Sequence, residues 1–422
     1  MNMNIVFCFP TDERHYLDTD VSLVSIFNTE TKEFTHYPIN LVDSDSLDFP
    51  KILEPCIVYN KKLFDRFYNI TSYDLDTHIW SLTNRVLEDF VDLNIFRTYK
   101  RLYNNLQNNY YRYIPIGKYR ELISNILSYL ETISLQLNQV SKFYTEKLYP
   151  SIYTIEKNGI KIDLQKFNSY YNKNYTKDIL QTNHYLHNTT GRFSNKFDNI
   201  NFLALNKSDG NREIFTSRFE NGVLLEFDFD SYHLRLISEL IKYPLPKDKS
   251  VHIYLSEKYY NKSIENREDY DEAKSTSFKA LYGYDEESYK HIPFFDKVYK
   301  LRDKLWNSFE TDGYIETPIS GRKFCASNLK DMNKSKLFNY FLQMVETEFS
   351  IIFIYRVCDI LKNKLSKIVL YTYDSILIDF NKEDGKELIE QIKSSIITSK
   401  LKIGKNYQDM KEVSFEKEKL TV

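Results

Sequence analysis

The chain has 422 residues, 42% of them apolar and 27% charged, which excludes a disordered chain and is enough to build cores in two or three domains. Lysine and arginine number 57 against 59 acids, a net charge of −2, so there is no global basic footprint for nucleic acid. Glycine occurs only 10 times, where usual usage would give about 30; each one kept is therefore expected to have a backbone reason. In chain order, the first 90 residues read as strand-rich α/β, with short apolar strands at 4–9, 21–27 and 56–59 bounded by polar turns. Residues 84–150 carry helical periodicity, interrupted by a Tyr- and Asn-rich piece at 103–113 and by Pro115 and Pro150. A helix is expected to end at Gly159, followed by a short strand at 160–162 and an Asn-rich stretch at 168–188. The pattern then predicts a strand at 223–228, helices at 231–241, 251–259, 270–281 and 333–361, a β-hairpin at 368–380 and a helix at 384–398. The remainder reads as polar and charged. Four cysteines, Cys8, Cys56, Cys325 and Cys358, have no CxxC spacing, so neither a disulfide framework nor a zinc site is expected. No secretory start and no bilayer-length apolar run is visible, and the expectation is a soluble cytoplasmic protein with no membrane partner.

Two apolar strands each end on an aspartate. Val223-Leu224-Leu225-Glu226-Phe227-Asp228 leads into a helix, and Asp374 stands at the turn of the hairpin at 368–380. A lone carboxylate in such surroundings is costly to desolvate, and two brought together repel unless cations sit between them. That is the logic of a two-metal phosphoryl-transfer site. Lys274, Phe278 and Tyr282 are spaced i, i+4, i+8 and so share one helical face, with Gly283 following at once. A cation, an aromatic plate and a phenol in that order could receive a triphosphate, a sugar and a base. Taken singly, each pattern is more often a surface acid at a strand end or an amphipathic helix with a solvated lysine.

Together these pieces resemble the family A DNA polymerases, the class of bacterial DNA polymerase I. Phe227-Asp228-Phe229-Asp230-Ser231-Tyr232-His233-Leu234-Arg235 is similar to the family's first carboxylate motif, D-Y-S-Q-I-E-L-R. Lys274, Phe278, Tyr282 and Gly283 match K-x3-F-x3-Y-G of the fingers helix, and Tyr373-Asp374-Ser375 stands where the family has H-D-E. Further matches fall in the same order. They are Glu156 to Asp163 at the start of the polymerase region, Thr190-Gly191-Arg192-Phe193-Ser194 for T-G-R-x-S, Val251-His252, Gly313 to Thr317 with Gly321-Arg322, and Asn339-x3-Gln343. The resemblance implies an α+β right hand of palm and fingers with a reduced thumb, preceded by a degenerate 3′–5′ exonuclease-like, RNase H-like α/β domain. The implied limits are 1–147 for the exonuclease-like domain and 148–422 for the polymerase domain: 148–222 reduced thumb and lead-in to the palm, 223–250 palm, 251–310 fingers and 311–422 palm.

The resemblance also implies roles. Asp228 and Asp374 would hold two Mg2+ ions, with Mn2+ as a substitute, completed by the backbone carbonyl of Phe229. Lys274 would meet the incoming triphosphate, Phe278 the sugar and Tyr282 the nascent base pair. Arg192, Asn199, Asn201, Asn339 and Gln343 would line the primer–template duplex, where minor-groove acceptors are nearly the same for every base pair. Arg212 falls near the family's nucleotide arginine. The implied activity is template-directed addition of dNTPs to a primer. Twelve basic against seven acidic residues at 142–218 give a local excess of +5 on the segment that would grip duplex backbone.

The departures carry expectations of their own. His233 replaces the glutamate that gates against ribonucleotides, so His233 is expected at the nucleotide, with discrimination against rNTPs either weaker or achieved differently by Tyr232 and His233. Ser375 and Tyr373 replace the acid and the histidine of the second motif. Only 26 residues, 164–189, stand where the family has a long helical thumb, which predicts low processivity or a processivity-factor partner. Asp12, Asn60-x3-Phe64-Asp65 and Asp76 fit exonuclease motifs, but Pro10 replaces the first metal acid and no Y-x3-D follows around 122–137, so proofreading is expected to be lost. The short, AT-biased chain points to a phage, virus or mobile element, which would place it in host cytoplasm. Two other functions stay open on the sequence: a catalytically inactive nucleic-acid-binding replication protein, and a single-subunit RNA polymerase-like enzyme.

Overall fold

The computed structural model describes residues 3–93, 97–103, 110–205, 208–247, 249–260, 262–283 and 286–413. Part of the Tyr- and Asn-rich piece (104–109) and the charged end beyond residue 413 lie outside these residues. The chain forms two units of mixed α and β structure, and no described helix is long and apolar enough to cross a membrane. None of the four cysteines is in a disulfide.

The first unit comprises Met1–Tyr153 with two short returns, Leu186–Thr189 and Ser320–Arg322. Its sheet has five strands: β1 (Asn4–Pro10), β2 (Val21–Asn28), β3 (Phe34–Pro38), β4 (Cys56–Tyr59) and β5 (Ser72–Asp74), in the order β3-β2-β1-β4-β5. β1 pairs antiparallel with β2 and parallel with β4, and β4 pairs parallel with β5. β1 is apolar on both faces because both are covered. Phe7 and Phe9 point into a cluster with Ile79, Tyr119, Leu122 and Ile126. Val6 and Cys8 point the other way, toward Val58, Leu63 and Phe64. The alternation of side chains along a strand makes this possible. The covering helices are α1 (Lys61–Phe67), α2 (Leu75–Thr83) and α3 (Ile116–Leu130).

The second unit is built on a five-stranded antiparallel sheet: β6 (Val223–Phe229), β7 (Lys367–Thr372), β8 (Ser375–Phe380), β9 (Ser399–Gly404) and β10 (Lys411–Val413), in the order β7-β8-β6-β9-β10. The central strand β6 carries a buried apolar run, and β7–β8 is the expected hairpin. β9 and β10 fall in the stretch that reads as featureless charged sequence; they are the main elements the sequence pattern misses. α4 (Tyr232–Leu240) follows β6 directly, then come α5 (Val251–Tyr259), α6 (Arg267–Leu281) and α7 (Pro293–Thr311). α6 starts three residues earlier than its apolar pattern does, because the Asn266 side chain accepts the Asp269 N–H at 3.0 Å and caps it. α7, with Pro293 at its first turn, is also absent from the sequence reading. α8 (Lys334–Leu361) is buried on nearly all sides, packed against α4, α7, β7 and α9 (Glu387–Ser395).

Between residues 160 and 216, short strands replace any long helix pair. Ile160–Ile162 pairs with Ile179–Leu180 and with Phe215–Thr216, and Leu164–Tyr171 is a helix capped by Asp163. The helix Tyr149–Asn158 ends at Gly159, whose φ of +56° is the left-handed conformation that favours glycine. A Cβ there would lie 2.7 Å from Ile179 and 2.9 Å from the Leu180 carbonyl oxygen.

Candidate active site

Asp228 stands near the end of β6, and Asp374 sits in the tight turn between β7 and β8. Register brings them together, since Asp228 pairs with Ser375, the residue after Asp374. The Phe229 N–H donates to the Asp374 carbonyl oxygen at 2.7 Å, tying the two strand ends to each other. Burial pushes the Asp374 carboxyl above the ordinary carboxylate range, and the charges of Asp228 and Glu346 push it further the same way. Such crowding of acids is what a bound cation relieves. Carboxylate oxygens suit a hard ion such as Mg2+, so the donor chemistry fits. The sheet supplies two such acids; among the described residues no group of three or more His, Cys, Asp or Glu side chains is arranged to hold a metal.

A third strand adds a lysine. On β9, Lys402 lies opposite Glu226 in register and Lys400 opposite Asp228, so all four side chains share one sheet face. The Lys402 ammonium donates to Glu226 Oε2 at 3.0 Å and reaches diagonally to Asp228 Oδ2. Burial works to lower its pKa, but the bond to Asp228 and the charge of Glu226 outweigh burial and hold it above the ordinary lysine value. Glu226 is buried and also accepts from the Tyr407 hydroxyl at 3.1 Å.

Across the site, α6 presents Lys274 and Phe278 on one face, with Tyr282 just past its end. Phe278 and Tyr282 stack with centroids 6.4 Å apart and planes at 14°. Lys274 has no ion-pair partner among the described residues. Behind Phe278 lies His252, 5.4 Å away, whose pKa burial depresses to about 4, so it is a neutral imidazole. Gly283 ends the helix at φ +75°. A Cβ there would fall 1.7 Å from Arg302 Nη1, so the backbone favours glycine and any side chain would also have to displace the Arg302 guanidinium.

His233 joins the two sides. Its Nε2 lies 2.6 Å from Glu346 Oε2 and its Nδ1 2.9 Å from the Tyr282 hydroxyl. A carboxylate only accepts, so Nε2 is the donor to Glu346, and Nδ1 bonds the Tyr282 hydroxyl. Burial pushes the Tyr282 hydroxyl up to about 12, which keeps it a donor. Arg192 Nε donates to the same Glu346 oxygen at 2.9 Å, and its guanidinium lies 4.7 Å from the Tyr373 ring centroid.

One cavity of about 670 Å³ collects these groups: Asp228, Phe229, Asp374, His233, Lys274, Phe278, Tyr282 and Arg192 all line it, together with Glu346, Lys400 and Lys402. The remaining sequence candidates lie outside it. Asn199 has φ +67° in the turn joining Ser194–Phe197 to Ile200–Asn201, and the Asn201 side chain caps a short helical turn by accepting the Leu203 N–H at 3.2 Å. On α8, Gln343 Nε2 donates to Asn339 Oδ1 at 3.1 Å. Arg212 stacks on the Tyr407 ring at 4.4 Å and donates to the Leu205 carbonyl. Sequence reasoning misses Glu226, Glu346, Lys400 and Lys402. For the lysines a signal existed, since Ser399-Lys400-Leu401-Lys402-Ile403 alternates with strand period.

The chain is similar in fold to a polymerase domain. The particular likeness is to the POL domain of Pol1 from M. smegmatis, solved in complex with DNA primer-template and dNTP. It has a TM-score of 0.69 and 12% sequence identity, and covers 96% of this chain and 96% of that one. The likeness is one of fold. No protein-family model and no curated protein matches the sequence.

Proposed function

We propose that this chain is a template-directed DNA polymerase that adds dNTPs to a primer 3′-hydroxyl by two-metal phosphoryl transfer. The observation that carries the reading is the single cavity into which Asp228 and Asp374 face from the sheet and Lys274, Phe278 and Tyr282 from the helix side. Asp228, Asp374 and the Phe229 carbonyl would hold two Mg2+ or Mn2+ ions, which when bound activate the 3′-hydroxyl and neutralise charge on the pyrophosphate leaving group. Lys274 meets the triphosphate as a point charge. Phe278 packs against the sugar, and Tyr282, held by His233, forms a wall of the nascent base pair. His233 stands at the sugar in place of an acid. Arg192, Asn199, Asn201, Asn339 and Gln343 follow the duplex. Residues 148–222 act as a reduced thumb, 251–310 as fingers and the rest of 148–422 as palm, and the short thumb leaves room for a processivity factor.

Residues 1–147 are read as a 3′–5′ exonuclease-like domain without proofreading. Two of its candidate acids are engaged by cationic side chains. Arg14 donates from Nε and Nη2 to Asp12 at 2.9 and 2.8 Å, and Lys61 donates to Asp65 at 2.8 Å. Pro10 stands where the first metal acid would be. Primer extension on a primed DNA template with Mg2+, offering dNTPs and rNTPs separately, tests the reading. Template-directed extension with dNTPs is expected. No extension overturns the proposal, and equal use of rNTPs moves it to the RNA polymerase-like class.

A further inference from the structure

Asp228 has an ammonium on it. Lys402 sits on the strand next to β6 and is bonded at once to Asp228 and Glu226. Its side chain is 18% exposed, Glu226's 7% and Asp228's 34%. The open end of this trio is therefore Asp228, facing the cavity, and the closed end is Glu226. Glu226 also keeps neutral partners of its own, the Tyr407 hydroxyl at 3.1 Å and the Ser375 hydroxyl at 3.5 Å. Lys400, one pair along the same face, carries the same charge but instead lies 4.0 Å from Glu412.

A divalent cation approaching Asp228 meets a carboxylate already compensated, and a like charge tethered beside it. We propose that Lys402 is a tethered cation that competes with divalent metal for Asp228, and that Glu226 is the seat it keeps when metal enters. The inference rests on the two-metal reading above. The lysine and the metal exchange over one carboxylate; no bond is made or broken beyond the hydrogen bond and the coordination. The device keeps Asp228 compensated without metal and sets the metal concentration at which the site fills.

The test is Mn2+ binding to the full-length protein without DNA or nucleotide, followed by electron paramagnetic resonance of the free ion. Lys402→Met, which keeps the apolar stem, is expected to tighten binding at the site about tenfold, the effect of removing one close charge pair. Glu226→Gln leaves Asp228 as the only carboxylate for Lys402 and is expected to weaken binding. Lys400→Met removes the same charge from the same face without touching Asp228 and is expected to change binding less than about threefold. Thermal melts confirm folding; should Lys402→Met not fold, Glu226→Gln decides alone. Unchanged or weaker binding in Lys402→Met, an equal effect of Lys400→Met, or tighter binding in Glu226→Gln overturns the inference. Asp228→Asn separates it from the reading beneath. Tight binding lost in Asp228→Asn but indifferent to Lys402→Met sinks the competition alone. Tight binding that survives Asp228→Asn and Asp374→Asn together means the ions bind elsewhere, and both readings fall.

Discussion

Glu346 is the buried acid on which the two walls of the cavity are tied, and its replacement by glutamine should loosen them measurably. The side chain is 3% exposed and accepts from Arg192, which is 28% exposed, and from His233, 10% exposed. Glutamine keeps the shape but not the charge: both donors share one oxygen of Glu346, which the amide oxygen can replace only as a neutral acceptor. A charge-assisted hydrogen bond is worth about 1.5–3 kcal/mol, and water reaching the half-open Arg192 recovers part of that. The expected net loss is about 2 kcal/mol. Because His233 transmits this to Tyr282, Glu346→Gln and His233→Ala should not be additive: a coupling of about 1 kcal/mol is expected between residues in one network. Urea unfolding of the wild type, the two single variants and the double variant measures it. In single-nucleotide incorporation, the preference for dNTP over rNTP should fall in Glu346→Gln as it does in His233→Ala. Additive losses, with a coupling under about 0.3 kcal/mol, together with an unchanged sugar preference, would refute the network.

Other perturbations follow from single contacts. Burial, with Asp74 adding to it, pushes Asp76 up to about 7, so between about pH 4 and 7 the folded chain binds the proton that the unfolded chain releases. Stability therefore falls as pH rises through that window and is flat above it. Asp76→Asn, which can still accept the Leu87 N–H that now bonds Asp76 at 3.1 Å, should lose that slope and melt above the wild type at pH 8; parallel pH profiles would count against it. Gly283→Ala places a methyl against Arg302 at a positive φ and should cost about 2–3 kcal/mol in a urea titration; an unmoved midpoint would show that the turn relaxes freely. A primer with a mismatched 3′ end should keep its length on incubation with the protein and Mg2+, and shortening of that primer would overturn the reading of the first domain.

The parts legible in the sequence are those whose determinants are local. Strand β6 declares itself by an apolar run ending on Asp228, β7–β8 by β-branched residues flanking a turn, and α6 by side chains four apart. The first unit's β1, β2 and β4 are visible for the same reason, whereas β3 and β5 are short and partly polar. What the sequence conceals is long-range. Glu346 meets His233 across 113 positions, a distance that no periodicity encodes. Lys402 comes from a strand whose exposed face reads as charged loop because its lysines face two acids on β6. Asn199 and Asn201 illustrate the reverse: an Asn-rich stretch carries local turn chemistry as readily as recognition.

The central claim is a template-directed phosphoryl transfer that depends on two aspartates. The most direct measurement is single-turnover addition of one dNTP to a primed DNA template in Mg2+ by the wild type, Asp228→Asn and Asp374→Asn. The account predicts addition of the complementary nucleotide by the wild type and a loss of at least about 10²-fold in each variant, since each removes several kcal/mol of charge stabilisation. Addition without regard to the template base, or variants as fast as the wild type, would contradict it.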